Sequence, residues 1–224
     1  MGSTKIPVST LDFARSAEDW AGARSEQARA LWAKSGDDSG YLSLPQHLVD
    51  SACAAAGVFD IWVSDSMVAF LSEQLKISAE DVRTLYLFLA GTHDVGKAIP
   101  QFQRQIDREP YRHIVSAVRD AGFSLEAGYR ELNEGKIPHN VASGVFLEGW
   151  LLDRGVQRNL AQRLAEVVNA HHGMASGRHA HDAAAYAATQ YGPEWQAVQH
   201  ELLDAMAELT GIDALLPRMR KMRT

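Results

Sequence analysis

The chain has 224 residues, 46% of them hydrophobic, with a formal net charge of −6. That excludes a disordered chain and suits a single domain with a sizeable core. It also argues against a surface coated in positive charge for nucleic acid, while leaving room for a local basic groove or for a site whose largest charges are bound cations.

Taken in chain order, the predicted elements are almost all helices. A first helix fits within SAEDWAGARSEQARALWAK, residues 16–34, with Ser16 as its N-cap and acidic residues in its first turn. The polar stretch Ser35 to Ser43 reads as a loop. A second helix, LPQHLVDSACAAAGVFDIW, starts near Pro45, because proline is well placed in a first helical turn. Ser78 and Asp81 form a cap, and the helix behind them, EDVRTLYLFLAGTHD, carries Val82, Leu85, Leu87, Phe88 and Leu89 on more than one stripe. Such a helix is expected at the centre of the molecule. Gly96 and Pro100 close it. Residues 100 to 137 read as irregular, with one or two short helices. Pro138 opens a helix through about Leu152, and Asn159 opens one through about His172. The stretch GMASGRHAHD reads as a loop, followed by helices near 181–190 and 193–210. Strand-like alternation is nearly absent, so the expected class is all-α, a helical bundle around a central buried helix. The basic run RMRKMR, residues 218–223, reads as a solvated terminus.

No run of 18 apolar residues is present and the N-terminus lacks a basic segment followed by an apolar one, so neither a membrane span nor a secretion signal is expected. The single cysteine, Cys53, excludes a disulfide framework and reads as a small core residue. Together these point to the cytoplasm.

The stretch GTHDVGK, residues 91–97, admits two chemistries. Read as G-x-x-x-x-G-K it begins a phosphate-cradling loop. That loop needs a strand before it, a helix after it, and Ser or Thr after the lysine to hold magnesium. Here Ala98 follows Lys97 and Pro100 follows soon after, so this reading fails. Read as His93-Asp94 it offers two metal ligands at a helix end, and the chain supplies partners. His47 lies in the LPQHLVD helix, His139 opens PHNVASG, and His171 and His172 end LAEVVNAHHG. His171 continues the apolar stripe Leu160, Leu164, Val167, Val168, and His172 is about 100° round the same helix. Adjacent ligands diverging by that angle can serve two ions, and two-metal sites are common in phosphodiester cleavage. One buried histidine is more often a hydrogen-bonded core residue. A series H…HD…H…HH over four helices is not, because each imidazole must be satisfied. His113, His179, His181 and His200 lack such context, and His179 and His181 read as mainly surface.

HD followed by GK, with a histidine upstream and H then HH downstream, resembles the HD superfamily of metal-dependent phosphohydrolases. The closer resemblance is to the HD nuclease domain of the type I CRISPR helicase–nuclease. It is carried by ALWAKS, LPQHLVDSACAAAGVFDIW, THDVGKAIPQFQ, PHNVASG and NAHHG, over roughly residues 28 to 215 of a single HD-type domain spanning 1–224.

The resemblance implies a nuclease that cuts single-stranded DNA with one or two divalent ions, a metal-activated water attacking the phosphodiester. A helicase domain or chain would feed it DNA unwound at an RNA-guided surveillance complex. His47, His93, Asp94, His139, His171 and His172 would be metal ligands, Lys97 would face the scissile phosphate, and Ser143 would support the site or contact substrate. Imidazole and carboxylate without thiolate suit Mn, Fe, Co, Ni or Zn better than Ca. The chain departs from the family in lacking a final aspartate in an A-D-W-like helix. Asp204 and Asp213 are the acids available, but LLDAMAELTGIDALL does not look like that helix. No helicase motif is present. Two alternatives therefore stand beside the nuclease: an HD phosphohydrolase of nucleotides or cyclic dinucleotides, and a truncated, non-catalytic HD module that docks on the surveillance complex.

Overall fold

A computed structural model describes residues 10–36, 40–126 and 137–220. Its elements begin with α1 (Thr10–Ser16), α2 (Glu26–Ala30) and a strand pair, β1 (Trp32–Ser35) and β2 (Tyr41–Ser43). There follow α3 (Leu44–Trp62), α4 (Asp65–Leu75), α5 (Ala79–Thr92), α6 (Pro100–Gln103) and α7 (Arg112–Asp120). The last group is α8 (His139–Asp153), α9 (Arg158–Asn169), α10 (Arg178–Ala188), α11 (Pro193–Thr210) and α12 (Leu216–Met219). Short 3₁₀ turns at Val95–Lys97 and Ala170–His172 extend α5 and α9.

The class is all-α, and the central helix is α5, packed against α3, α4, α9 and α11. It starts where the sequence says it should. Ser78 accepts from the Asp81 N–H at 3.1 Å while the Asp81 carboxylate accepts from the Ser78 N–H at 3.0 Å, a reciprocal cap that satisfies two orphan donors. Val82, Leu85, Leu87 and Phe88 are buried, and Leu89 is half-buried. The α3 helix begins at Leu44, capped by Ser43, with Pro45 in its first turn. The α8 helix follows Pro138 and lies along α9. Among the described residues no single helix is long and apolar enough to cross a membrane.

The N-terminal segment departs from the expected helix over 16–34. The α1 helix ends at Ser16, where the new one was expected to begin, and a second short helix starts at Glu26, capped by Ser25. The remaining residues, WAKS, form β1. The cause lies far along the chain. Gln103 accepts from the Trp32 N–H at 3.1 Å and donates to the Trp32 carbonyl at 2.9 Å, and Trp32 stacks on Phe102 at 4.5 Å. These contacts hold the backbone extended against its helical propensity. The expected loop therefore contains β2, antiparallel to β1, with residues 37–39 outside the description.

Further differences are smaller. The α4 helix was not foreseen. None of its residues is fully buried, which blurs its apolar period. The α9 helix stops at Asn169 rather than near His172, and Val167 of the expected stripe is 58% exposed. The expected loop 173–182 ends at Gly177, so His179 and His181 belong to α10. Arg218 and Met219 of the basic run are folded in, Arg218 on Asp81 and Met219 in the core, while residues 221–224 lie outside the described ones. Cys53 is a half-buried free thiol packed against the core, its pKa pushed up by burial and by Asp50.

Candidate metal centre

The C-terminal end of α5 delivers two candidate ligands in succession. Helical bonding stops at Thr92, whose hydroxyl turns back to the Phe88 carbonyl at 2.8 Å. His93 keeps helical backbone angles, and Asp94 opens the 3₁₀ turn. Gly96 then passes against the first turn of α8. A Cβ there would lie 2.0 Å from the His139 carbonyl and 2.3 Å from the Ser143 nitrogen, so only glycine fits. The Gly96 N–H donates to Ser143 Oγ at 2.8 Å. This close crossing brings Asp94 to the start of α8, where His139 sits.

Asp94 is 4% exposed and forms the hub. Its Oδ2 lies 2.6 Å from His47 Nε2, 2.8 Å from Lys97 Nζ and 3.2 Å from His93 Nε2. Its Oδ1 lies 3.3 Å from both His139 Nε2 and His171 Nε2. His172 Nε2 is 3.0 Å from His139 Nε2. Two groups could each hold a cation, His47–His93–Asp94 and His139–His171–His172, the ligand atoms within each group lying within 4.8 Å of one another.

The outer nitrogens determine what the inner ones can do. His93 Nδ1 contacts the Ala90 carbonyl at 2.7 Å, and His171 Nδ1 contacts the Val168 carbonyl at 2.7 Å. A carbonyl oxygen only accepts, so each Nδ1 carries the proton and a neutral ring presents its Nε2 lone pair inward. His171 Nε2 thereby faces Asp94 Oδ1, acceptor to acceptor. Both atoms are buried without a hydrogen-bond partner among the described residues. A cation, either a proton or a metal ion, is what such a pair requires.

Burial alone would raise the Asp94 carboxyl, but with a ring proton turned toward it the hydrogen bonds of His139, His171, His47 and His93 outweigh burial and hold it far below the usual carboxylate range. Burial lowers His47 against the opposing pull of Asp94. Burial would lower His171 too, yet Asp94 and the Val168 carbonyl raise it. His172, at the rim, is lowered by burial and then by its neighbours His171 and His139.

The six residues read as ligands thus meet at one place, contributed by α3, the end of α5, the start of α8 and the turn after α9. Lys97 and Ser143 are also there, but in other postures. Lys97 is buried, donating to the Ala33 carbonyl at 3.1 Å as well as contacting Asp94, with Phe102 beneath its ammonium at 5.3 Å. Ser143 is fully buried on the Gly96 backbone. Asp204 joins neither cation group. It accepts from the Trp150 indole at 2.7 Å and pairs with Arg154, and Asp213 is exposed. His113, His179 and His200 are exposed, whereas His181 is half-buried, its Nε2 2.9 Å from the buried Glu148. Sequence reasoning gave Gly96 only a helix-closing place in its motif and passed over Asn140 and Asn169. The only signal of these two is adjacency to the histidine motifs.

The family profile described as "Cas3, HD domain" matches residues 32–223. The chain belongs to the Cas3 HD domain family. It is 28% identical over 186 residues to the CRISPR-associated endonuclease/helicase Cas3 of Thermus thermophilus, covering 83% of this chain and 19% of that protein. The crystal structure of the Thermus thermophilus cas3 HD domain in the presence of Ni2+ is similar with a TM-score of 0.58 and 25% identity, over 87% of this chain and 73% of that one. A chain of a CRISPR RNA-guided surveillance complex, pre-nicking, shares the fold with a TM-score of 0.63 and 23% identity, over 82% of this chain and 21% of that one. The chain spans less than a fifth of the length of the curated nuclease/helicases it matches, 16% and 19%. In this Cas3 HD domain the His93–Asp94 pair sits at the end of the central helix, so both residues join the first candidate group while Asp94 Oδ1 also faces His139 and His171 of the second.

Proposed function

We propose that this Cas3 HD domain is a divalent-metal-dependent nuclease that hydrolyses phosphodiester bonds of single-stranded DNA in the cytoplasm. A helicase domain or chain at an RNA-guided surveillance complex supplies the strand. The observation that carries this reading is the acceptor-to-acceptor contact at 3.3 Å between His171 Nε2 and Asp94 Oδ1, at the junction of two cation-holding groups. His47, His93 and Asp94 would hold one ion and His139, His171 and His172 the other. A divalent transition metal supplies Lewis acidity and a nucleophilic water at neutral pH when bound.

The chain's own residues prepare that chemistry. The Ala90 and Val168 carbonyls fix the tautomers of His93 and His171, which keeps their Nε2 lone pairs inward. Lys97 offsets the Asp94 charge, so the buried carboxylate stays ionised before a metal ion binds. Ser143 pins the 3₁₀ turn that carries Asp94 and Lys97. The Lys97 ammonium and the Asp94 carboxylate offset one another. Bound cations would make the site locally positive, which lets a chain of net charge −6 attract a polyanion. Lys97, directed at Asp94 from the protein side, acts on substrate only through that balance.

The non-catalytic docking module draws support from Asp204, which is engaged by Trp150 and Arg154 instead of completing the metal shell. One experiment separates the readings. Protein purified without chelators is assayed for metal content, then offered single-stranded DNA, nucleotides and cyclic dinucleotides with Mn, Co, Ni or Zn, beside Asp94→Asn. The nuclease predicts bound metal and DNA cleavage, both lost in the variant. Turnover of the small substrates alone would favour the phosphohydrolase, and metal without any turnover the docking module. Metal-free protein would end the proposal.

A further inference from the structure

The two cation groups are built on different supports. His47, His93 and Asp94 stand on α3 and α5, whereas His139, His171 and His172 belong to the first residue of α8 and the turn after α9. The second group is held only as well as those two segments are held to each other. Beside it lies a polar joint. Asn140, next to His139, directs its Nδ2 to the Asn169 carbonyl at 2.8 Å and to Asn169 Oδ1 at 3.0 Å. Asn169 is the last residue of α9 and the N-cap of the 3₁₀ turn that carries His171 and His172. The same Asn169 Oδ1 accepts from the Ser176 N–H at 3.4 Å, and Asn169 Nδ2 donates to the Ser176 carbonyl at 3.3 Å, closing the loop that follows His172. Both asparagines are buried, at 7% and 5% exposure. One turn along α8, a Cβ on Gly144 would meet the Ala165 carbonyl at 3.0 Å, so the backbones approach closely enough for this short amide to span them.

Resting on the metal-centre reading above, we propose that Asn140 and Asn169 are positioning residues for the second cation group. Their shared hydrogen bonds set the separation of His139 from the His171–His172 pair and leave the His47–His93–Asp94 group untouched. Removal of a hydrogen bond behind a ligand commonly lowers metal affinity about 10–100-fold. Here the loss falls on one ion of two.

The test uses Asn140→Ala, Asn140→Asp and Asn169→Asp. Asn140→Asp keeps the shape but removes the Nδ2 donor. Asn169→Asp keeps the Oδ1 acceptor that Asn140 and Ser176 use. Calorimetric titration with Ni or Co should show one binding step lowered about 10–100-fold in both Asn140 variants and the other step unchanged. Asn169→Asp, which loses only the Nδ2 bond to the Ser176 carbonyl, should lower the same step by less. Imidazole nitrogen NMR of the metal-free proteins gives a second readout. Asn140→Asp should shift the signals of His139, His171 and His172 and spare those of His47 and His93. Equal loss of both steps, no loss of either, or Asn169→Asp as weak as Asn140→Asp would overturn the proposal. So would imidazole signals that all move together or do not move. If the unaltered protein binds no metal, the nuclease reading fails, and the metal-free spectra still decide this one.

Discussion

The two ends of α5 each carry a buried carboxylate with a depressed pKa, and only one of them looks like a site. At the N-terminal end Asp81 accepts from the Ser78 N–H and hydroxyl at 3.0 and 2.7 Å, and from both Arg218 nitrogens at 2.6 Å. Burial opposes its ionisation, and Ser78 and Arg218 more than offset this. Every partner is a fixed donor, so the group is complete. At the C-terminal end Asp94 is also buried and also depressed, but two of the imidazoles it faces, His93 and His171, have their Nδ1 protons committed to carbonyls behind them. Burial and acidity alone therefore do not distinguish structure from chemistry. The mismatch of acceptors does, because it is what a bound cation would resolve.

The largest effect that could break this comparison is expected from Asp94→Asn. It removes the charge on which the cation groups converge, so cleavage should fall by on the order of 10³-fold, the several kcal/mol a metal site contributes. Metal content should fall with it. Retained cleavage would make Asp94 as structural as Asp81. Next comes Lys97→Met. Removing one partner of a buried pair costs about 3–5 kcal/mol. Here the cost should be large in the metal-free protein and much smaller in metal-loaded protein, where cations take over the compensation. Denaturant midpoints with and without Ni measure both, and equal costs would show that the Asp94 oxygens lack a cation-binding role. Gly96→Ala follows, at about 1–3 kcal/mol, because the new methyl drives into the His139 carbonyl and displaces α8. Its metal affinity should fall as well, and an alanine variant with unchanged affinity would show that the crossing does not position His139.

How far these features were legible in the sequence depended on whether their causes were local. The cap at Ser78–Asp81 and the placement of Pro45 and Pro138 act within one turn, and α3, α5 and α8 start where those residues indicate. The helix expected over 16–34 was wrong because Gln103 and Phe102, about 70 residues downstream, decide the conformation of Trp32. The α4 helix escaped because Val68, Leu71 and Leu75 only half-bury and give a weak period. At the centre, the motif histidines could be singled out since imidazoles and carboxylates advertise their chemistry. Asn140 and Asn169 advertise nothing until the two helices are laid side by side. The sequence also could not tell that Lys97 points at Asp94, because that depends on the Ala33 carbonyl of a strand not foreseen.

The smallest effects belong to the other end of the helix. Asp81→Asn weakens the reciprocal cap and the Arg218 pair, and since Arg218 is half-exposed the cost should be only about 1–2 kcal/mol. Metal affinity and cleavage should not change. The pH dependence gives this a sign. The Asp81 carboxyl is depressed in the folded state, so its stabilisation is fully present above the unfolded value of about 3.9 and is lost as pH falls through the lower folded value. The asparagine variant has no such linkage. The stability difference between the two proteins should be constant above about pH 5 and shrink below about pH 4. Asp94 titrates in both proteins and cancels from the difference, so urea midpoints of the metal-free pair isolate Asp81. A difference that stays constant through the acid range would mean that Asp81 contributes through its shape alone, and the contrast between a satisfied and an unsatisfied carboxylate would lose its reference.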